Sequence, residues 1–395
     1  MDRCGEPYRS WAYREGEQSR LLPELADDLK EDNGLLDDEE EQRVEQILRT
    51  YPIVSLRDHG FILPRELAQV GAYMRQGFTA YHYQGLLRSG LDAFFDNFMD
   101  SLVLLHSEKG WKWLEIVENL GYRYADLAHQ RNVVVAGRVK EIVEAKAHGR
   151  VAVIPSLESA TPIENEEDRV DILYGLGIRC MGLTYNEANA LGSGLAEPRD
   201  GGLTEFGKRV IRRMNRIGMA VDLAHCGDQT AMDAIEASEV PVVISHTGAR
   251  SLWNTPRMKP DSVLQACAAK GGVIGIMAAP NTTRVRERPT HDLEAVMSHF
   301  QYVVNLVGID AVALAPDTMF GDHAGLQRLF EGQLAVARAH GGESFEETPW
   351  VAELENPARA MRNMIRWLVR AGYRDDDIAK VAGGNVLRVM AEIWG

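Results

Sequence analysis

The sequence predicts an α/β fold, a (β/α)8 TIM barrel preceded by an N-terminal helical extension, and three observations predict it. Short β-branched or apolar runs recur along the chain, separated by longer amphipathic stretches, as βα units around a parallel sheet require. Eight such runs follow one another from Pro52 onward, the number that closes a barrel. No Gly-x-Gly-x-x-Gly turn follows any of them, as an open doubly wound sheet holding a dinucleotide would need.

The elements are expected in this order. Residues 1–50 form the extension, where the acidic run from Asp37 leads into Val44, Ile47 and Leu48 at helical spacing. Residues 51–395 form the barrel, with strands expected at Pro52–Leu56, Phe78–Tyr83, Val151–Ser156, Ile178–Leu183, Met219–Leu223, Val240–Ile244, Gly272–Ile276 and Ala311–Ala315. Helices are expected at Thr204–Ile217, Gln229–Ala237, Asp261–Ala269 and Leu293–Val307, several opened by Thr or Asp in capping positions. The segment Phe330–Ala352 reads as a long surface excursion.

Composition narrows the function. A chain of 395 residues with 45% hydrophobic content can fill one large core, so one catalytic domain is expected. The stretch Met1–Arg20 is polar and has no apolar run of signal-peptide or membrane-helix length, so a cytoplasmic location is expected. Cys4, Cys180, Cys226 and Cys267 lie far apart without Cys-x-x-Cys spacing, which suggests reduced thiols rather than disulfides or a thiolate metal site. A net charge of −15 without Lys or Arg clusters argues against nucleic-acid and anionic-membrane partners.

Metal-ligating residue types fall just past the expected strand ends. Arg57, Asp58 and His59 follow the first strand, Glu158 the third, Tyr185 the fourth, His225 the fifth, His246 the sixth and Asp317 the eighth. Barrel enzymes build their sites at that face, where side chains from different strands converge. Two imidazoles and a carboxylate suit zinc, iron or manganese and leave positions for water and substrate. A metal held there would generate hydroxide near neutral pH and polarise a carbonyl, while Asp317 could orient the nucleophile and pass its proton to a leaving amine.

At these residues the chain resembles the membrane (renal) dipeptidase family, peptidase family M19, a branch of the amidohydrolase-like, metal-dependent hydrolase barrels. The most specific stretch runs from Gly202-Leu-Thr-Glu-Phe-Gly through Asn215-Arg-Ile-Gly and Val221-Asp-Leu-Ala-His225 to Ser245-His246. Gly308-Ile-Asp and the closing Gly383-Gly-Asn385 with Leu387-Arg388 extend it. The resemblance implies a dizinc centre in which an early His-x-Asp pair holds one metal, Glu158 bridges, and His225 and His246 hold the other. It also implies that Arg257 receives a substrate carboxylate and that Asp317 is the acidic residue after the last strand.

Two departures stand out. In Ile53-Val-Ser-Leu-Arg-Asp-His-Gly, Arg57 replaces the family's His and His59 its Asp. An arginine stays protonated and has no lone pair for a cation. Arg57 is therefore expected to border the first metal's place and pair with Glu158, with His59 either a further metal ligand or a partner of the Asp322–His323 loop. Tyr185 stands where the family carries a substrate-contacting His, and its phenol can donate to an oxyanion.

The reading that follows is a hydrolase of dipeptides or small amides with one or two zinc ions, Fe2+ or Mn2+ being chemically suited alternatives, and with homodimerisation as in relatives. Two alternatives stand beside it. Two His and one Glu also match the facial triad of non-haem iron enzymes, and a non-catalytic homologue would keep the barrel without the chemistry.

Overall fold

The computed structural model describes residues 10–11, 24–26, 29, 36–74, 79–97 and 112–395, with the side chain of residue 333 excepted. The sheet is parallel throughout and runs β1 (Val54–Asp58), β2 (Ala93–Asn97), β4 (Val151–Leu157), β5 (Cys180–Gly182), β6 (Ala220–Asp222), β7 (Val243–Thr247), β8 (Val273–Ile276) and β9 (Val312–Leu314). A further strand, β3 (Val133–Val135), pairs with the first half of β4 and lies off this path. The ring is drawn shut just beyond the ends of β1 and β9, where Asp317 N–H donates to the Arg57 carbonyl at 2.9 Å and His59 N–H to the Thr318 carbonyl at 3.0 Å. This is the (β/α)8 barrel.

Alternation along each strand separates two cores, because successive side chains point to opposite faces. Val54, Leu56, Ala93, Phe95, Ala152, Ile154, Cys180, Ala220, Val243, Val273 and Ala313 form one apolar cluster inside the ring. Ile53, Phe94, Val153, Met181, Val221, Ile244, Ile274, Val312 and Leu314 face outward and join the layer of helices. The C-terminal helix Asn385–Trp394 stops the ring's base with Val386, Val389, Met390 and Ile393. Asn385 anchors it by donating to the carbonyls of Ile309 and Val312, both at 2.8 Å, which gives the closing Gly-Gly-Asn motif a structural task.

The outer helices form where capping and periodicity agree. In Glu205–Ile217 the Thr204 hydroxyl accepts from Gly207 N–H at 3.0 Å, Val210, Ile211 and Met214 are buried, and Gly218 ends the helix at φ 77°. The helix Asp38–Thr50 carries the Asp37–Glu40 capping box and turns Val44, Ile47 and Leu48 inward. Its outer face meets the helix Ala360–Arg370 through Glu41–Arg366 and Glu45–Arg362 ion pairs.

One expected strand is corrected. Seven of the eight runs overlap β1 and β4 to β9, but Phe78–Tyr83 is not the second barrel strand. Residues 79–83 are extended only briefly, in an antiparallel bridge from Tyr81 to Phe61, and His82 then caps the helix Tyr83–Arg88. Residue 78 lies outside the described residues. Ala93–Asn97 takes the second position because it pairs in register with both β1 and β4. The expectations for Met1–Arg20 and Cys4 fall outside the described residues apart from Ser10 and Trp11. Cys180, Cys226 and Cys267 are buried free thiols. Among the described residues no helix is long and apolar enough to cross a membrane.

Candidate metal centre and active site

Strand parity brings two carboxylates to the mouth. Continuing the inward series Ala152, Ile154 on β4 brings Glu158 to the C-terminal mouth, and Ala313, Ala315 after β9 brings Asp317 there. Gly182 permits this crowding, because a Cβ on it would lie 2.1 Å from the Glu158 carbonyl oxygen. The backbone of Asp317 is left-handed at φ 56°, a conformation L residues seldom adopt, and cross-strand hydrogen bonds hold it.

Three donor atoms converge. Glu158 Oε1 lies 2.9 Å from His225 Nε2 and 3.1 Å from His246 Nε2, and the two nitrogens are 3.1 Å apart. All three residues are buried, and among the described residues they are the one His/Cys/Asp/Glu cluster with metal-holding spacing. Burial and the nearby Arg257 push His225 well below the ordinary imidazole pKa, and burial also lowers His246. Both rings are thus neutral and offer lone pairs. Burial opposes charge on Glu158, but Arg57 and the two imidazoles more than offset it and hold the carboxyl well below its usual range.

Each of these side chains is oriented from behind. His225 Nδ1 meets Asn186 Oδ1 at 2.8 Å. His246 Nδ1 meets Ser245 Oγ at 2.7 Å, and that hydroxyl donates to Asp222, whose other oxygen accepts from Ser245 N–H and Ala224 N–H. Asn97 donates its amide N–H to Glu158 Oε2. Outer partners of this kind fix ring orientation and ligand basicity.

The β1 side is built differently. Arg57 is 1% exposed, with Nη1 4.0 Å from Glu158 Oε2 and Nη2 3.6 Å from Asp222 Oδ2, while Nε and Nη1 make no hydrogen bond. It is not among the residues that line the cleft above. Despite burial, Glu158, Asp222 and Asp317 raise its pKa above the ordinary guanidinium value. His59 Nε2 pairs with Asp317 Oδ1 at 3.2 Å, while Asp317 Oδ2 lies 3.8 Å from His246 Nε2. Burial opposes charge on Asp317, yet His246 and His59 keep it ionised. Toward the Asp322–His323 loop, His59 makes a T-shaped ring contact with His323 at 6.4 Å between centroids. Asp58 Oδ1 accepts two bonds from Thr318.

Above these groups opens a cleft. Tyr185 and Arg257 line it. The Tyr185 ring stacks on His225 at 4.1 Å, and burial raises its phenol pKa well above normal, so it stays a donor. Arg257 Nη1 donates to the His246 carbonyl at 3.2 Å. Part of the Phe330–Ala352 segment roofs the cleft, with Leu334, Val336 and Ala339 facing in.

The sequence reading missed Asn97, Asn186, Asp222 and Ser245. Ser245 and Asp222 sit within the Ser-His and Val-Asp-Leu-Ala-His motifs, which was their available signal. Asn97 had none, because its strand was unrecognised.

A family model described as membrane dipeptidase (peptidase family M19) matches residues 114–332. Dipeptidase verJ of Clonostachys rogersoniana is 30% identical over 282 residues, spanning 71% of this chain and 64% of its own. Dipeptidase aclJ of Aspergillus oryzae is 30% identical over 247 residues, 62% of this chain and 52% of its own. The chain thus spans half to two thirds of the length of these curated relatives. Among solved structures, an amidohydrolase from Pseudomonas aeruginosa superposes with TM-score 0.72 at 22% identity, covering 89% of this chain and 99% of that one. A metallo peptidase from Rhodobacter sphaeroides, liganded with a phosphinate mimic of the dipeptide L-Ala-D-Ala, gives 0.67 at 17%, covering 87% and 100%.

Proposed function

Because the chain belongs to the membrane dipeptidase family, we propose that it is a hydrolase cleaving a dipeptide or small amide with one divalent ion held by Glu158, His225 and His246. The observation that carries this is the convergence of Glu158 Oε1 with two neutral imidazole nitrogens within 3.1 Å at the barrel mouth. A borderline cation such as zinc, when bound there, polarises a carbonyl and acidifies water.

The chain's own residues account for the rest. Ionised Asp317 takes the proton of the attacking water and returns it to the leaving amine. Tyr185 donates to the developing oxyanion, replacing the histidine of relatives. Arg257 receives the substrate carboxylate with a planar fork. Residues 51–395 form the catalytic unit, and residues 1–50 extend it.

The donors fit one ion and not two. Arg57 has no lone pair, and Glu158 Oε2, the oxygen a second ion would need, already faces Asn97 and Arg57. Arg57 supplies positive charge to Glu158 and Asp222 on the side where the family's first metal would lie, and His59 pairs there with Asp317.

Metal analysis on protein purified without chelator tests this, together with hydrolysis of a dipeptide panel. One ion per chain and chelator-sensitive cleavage are expected. Two ions would refute the single-ion reading. A folded protein with no metal and no cleavage would favour the non-catalytic homologue.

A further inference from the structure

We propose that His323, Gln327 and His340 form a subsite for the side chain of the leaving residue, and that the subsite selects a side chain ending in a carboxylate or carboxamide. The inference rests on the hydrolase reading above and deepens it by naming the class of residue released.

Two fixed points place the leaving residue. Asp317 returns the proton to its amine and Arg257 holds its carboxylate, so it spans the cleft between these two side chains, both of which line it. An imidazole stands at each end of that span. At the Asp317 end, His59 Nε2 pairs with Asp317, and the His59 ring meets the His323 ring edge-on at 6.4 Å. At the Arg257 end, Arg257 N–H donates to the Ala339 carbonyl at 3.0 Å, and His340 is the next residue. His323 and His340 both line the cleft. Between them the helix His323–Leu329 turns Leu326 and Gln327 to the cleft, three and four positions after His323 and so on the same face.

This wall carries polar atoms that the protein leaves unpaired. His323 Nδ1 is buried without a hydrogen-bond partner, while Nε2 lies 3.1 Å from the Gln327 amide nitrogen. Among the described residues the His340 ring makes no hydrogen bond. Burial brings both rings down to about 4, helped at His340 by Arg257, so at neutral pH each has one N–H and one lone pair. A substrate oxygen satisfies such groups. An apolar side chain would leave them dry and unpaired, and a site built to hydrogen-bond discriminates most strongly against the analogue that cannot. A lysine or arginine side chain would bring a second cation toward Arg257. Leu326 offers apolar surface to the methylene stem that carries the oxygen-bearing head.

Steady-state kinetics on Ala-Xaa dipeptides test this, with Xaa glutamine, glutamate, leucine or lysine in either configuration. In the configuration cleaved faster, glutamine and glutamate are expected to exceed leucine about 10-fold in kcat/KM, as one hydrogen bond allows, with lysine slowest. His340→Leu should bring the glutamine-to-leucine ratio close to one, and Gln327→Leu should lower it.

A wild type that cleaves the leucine or lysine dipeptide as fast as the glutamine one overturns the proposal. So does a ratio that survives both substitutions. Should His340→Leu not fold, Gln327→Leu, at a half-buried helix position, decides alone. If no dipeptide is cleaved, the hydrolase reading falls, and calorimetry of free glutamine against free leucine still judges the subsite. Tighter glutamine binding that His340→Leu abolishes supports it, and equal binding of the two overturns it.

Discussion

The two sides of the barrel mouth solve the same electrostatic problem differently. On the β4, β6 and β7 side, Glu158, His225 and His246 turn lone pairs toward one point. On the β1 and β9 side, Arg57 meets Glu158 and Asp222 as an organic cation, and His59 pairs with Asp317. A carboxylate-rich floor needs positive charge, and either a metal ion or a buried guanidinium can supply it. The difference teaches that one barrel mouth can present lone pairs on one side and a buried guanidinium on the other.

The comparison can be broken most sharply on the ligand side. His246→Ala removes one of three donors and should lower kcat/KM by about 10^3-fold or more, with loss of stoichiometric metal. Activity within 10-fold of wild type would mean that the convergence of donors is incidental. Next, Arg57→Met leaves Glu158 and Asp222 facing each other without their buried cation. Urea unfolding should show a loss of about 3–5 kcal/mol, the usual cost of breaking a buried pair from one side. A stable Arg57→Met protein would refute the counter-ion role. Restoring the relatives' pattern with Arg57→His and His59→Asp together should raise metal content from one ion per chain to two, measured by elemental analysis.

Tyr185→Phe sharpens the site more gently. Loss of one oxyanion donor should reduce kcat by about 10^2-fold with KM little changed. An effect confined to KM would mark Tyr185 as a binding surface only.

Acid stability gives the smallest effect and concerns the support of the Arg257 loop. His299 Nδ1 accepts from Ala249 N–H at 2.9 Å while Nε2 contacts the Arg284 carbonyl at 2.8 Å, an arrangement only the neutral ring satisfies. Burial lowers His299 to about 4, and burial with Arg284 lowers His291 to about 3. Because these folded values lie below the unfolded value of 6.5, the stability they contribute is fully present above that pH and is lost as pH falls toward 4. Unfolding followed from pH 7 to 4 should show a progressive loss of stability that His299→Gln reduces.

Much of the site was readable from residues alone, because apolar runs and motif order both point at strand ends. Glu158, His225, His246 and Asp317 each follow closely on an apolar run. The second strand was misread because Phe78–Tyr83 and Ala93–Asn97 are both short, aromatic-rich runs, and local pattern cannot choose between them. The choice came from register with β1 and β4. Val133–Val135 is apolar enough to be a strand, but it lies off the ring and fills no place in an eight-strand count.

The sequence by itself determined the barrel, the donor residues at its strand ends and the impossibility of metal binding through Arg57, since periodicity and side-chain chemistry are local properties. Only the tertiary structure decided that Arg57 lies between Glu158 and Asp222, that His59 turns to Asp317, and that Asn186 joins the roof to His225. These are meetings of residues far apart in the chain, and their geometry exists only once the ring has closed.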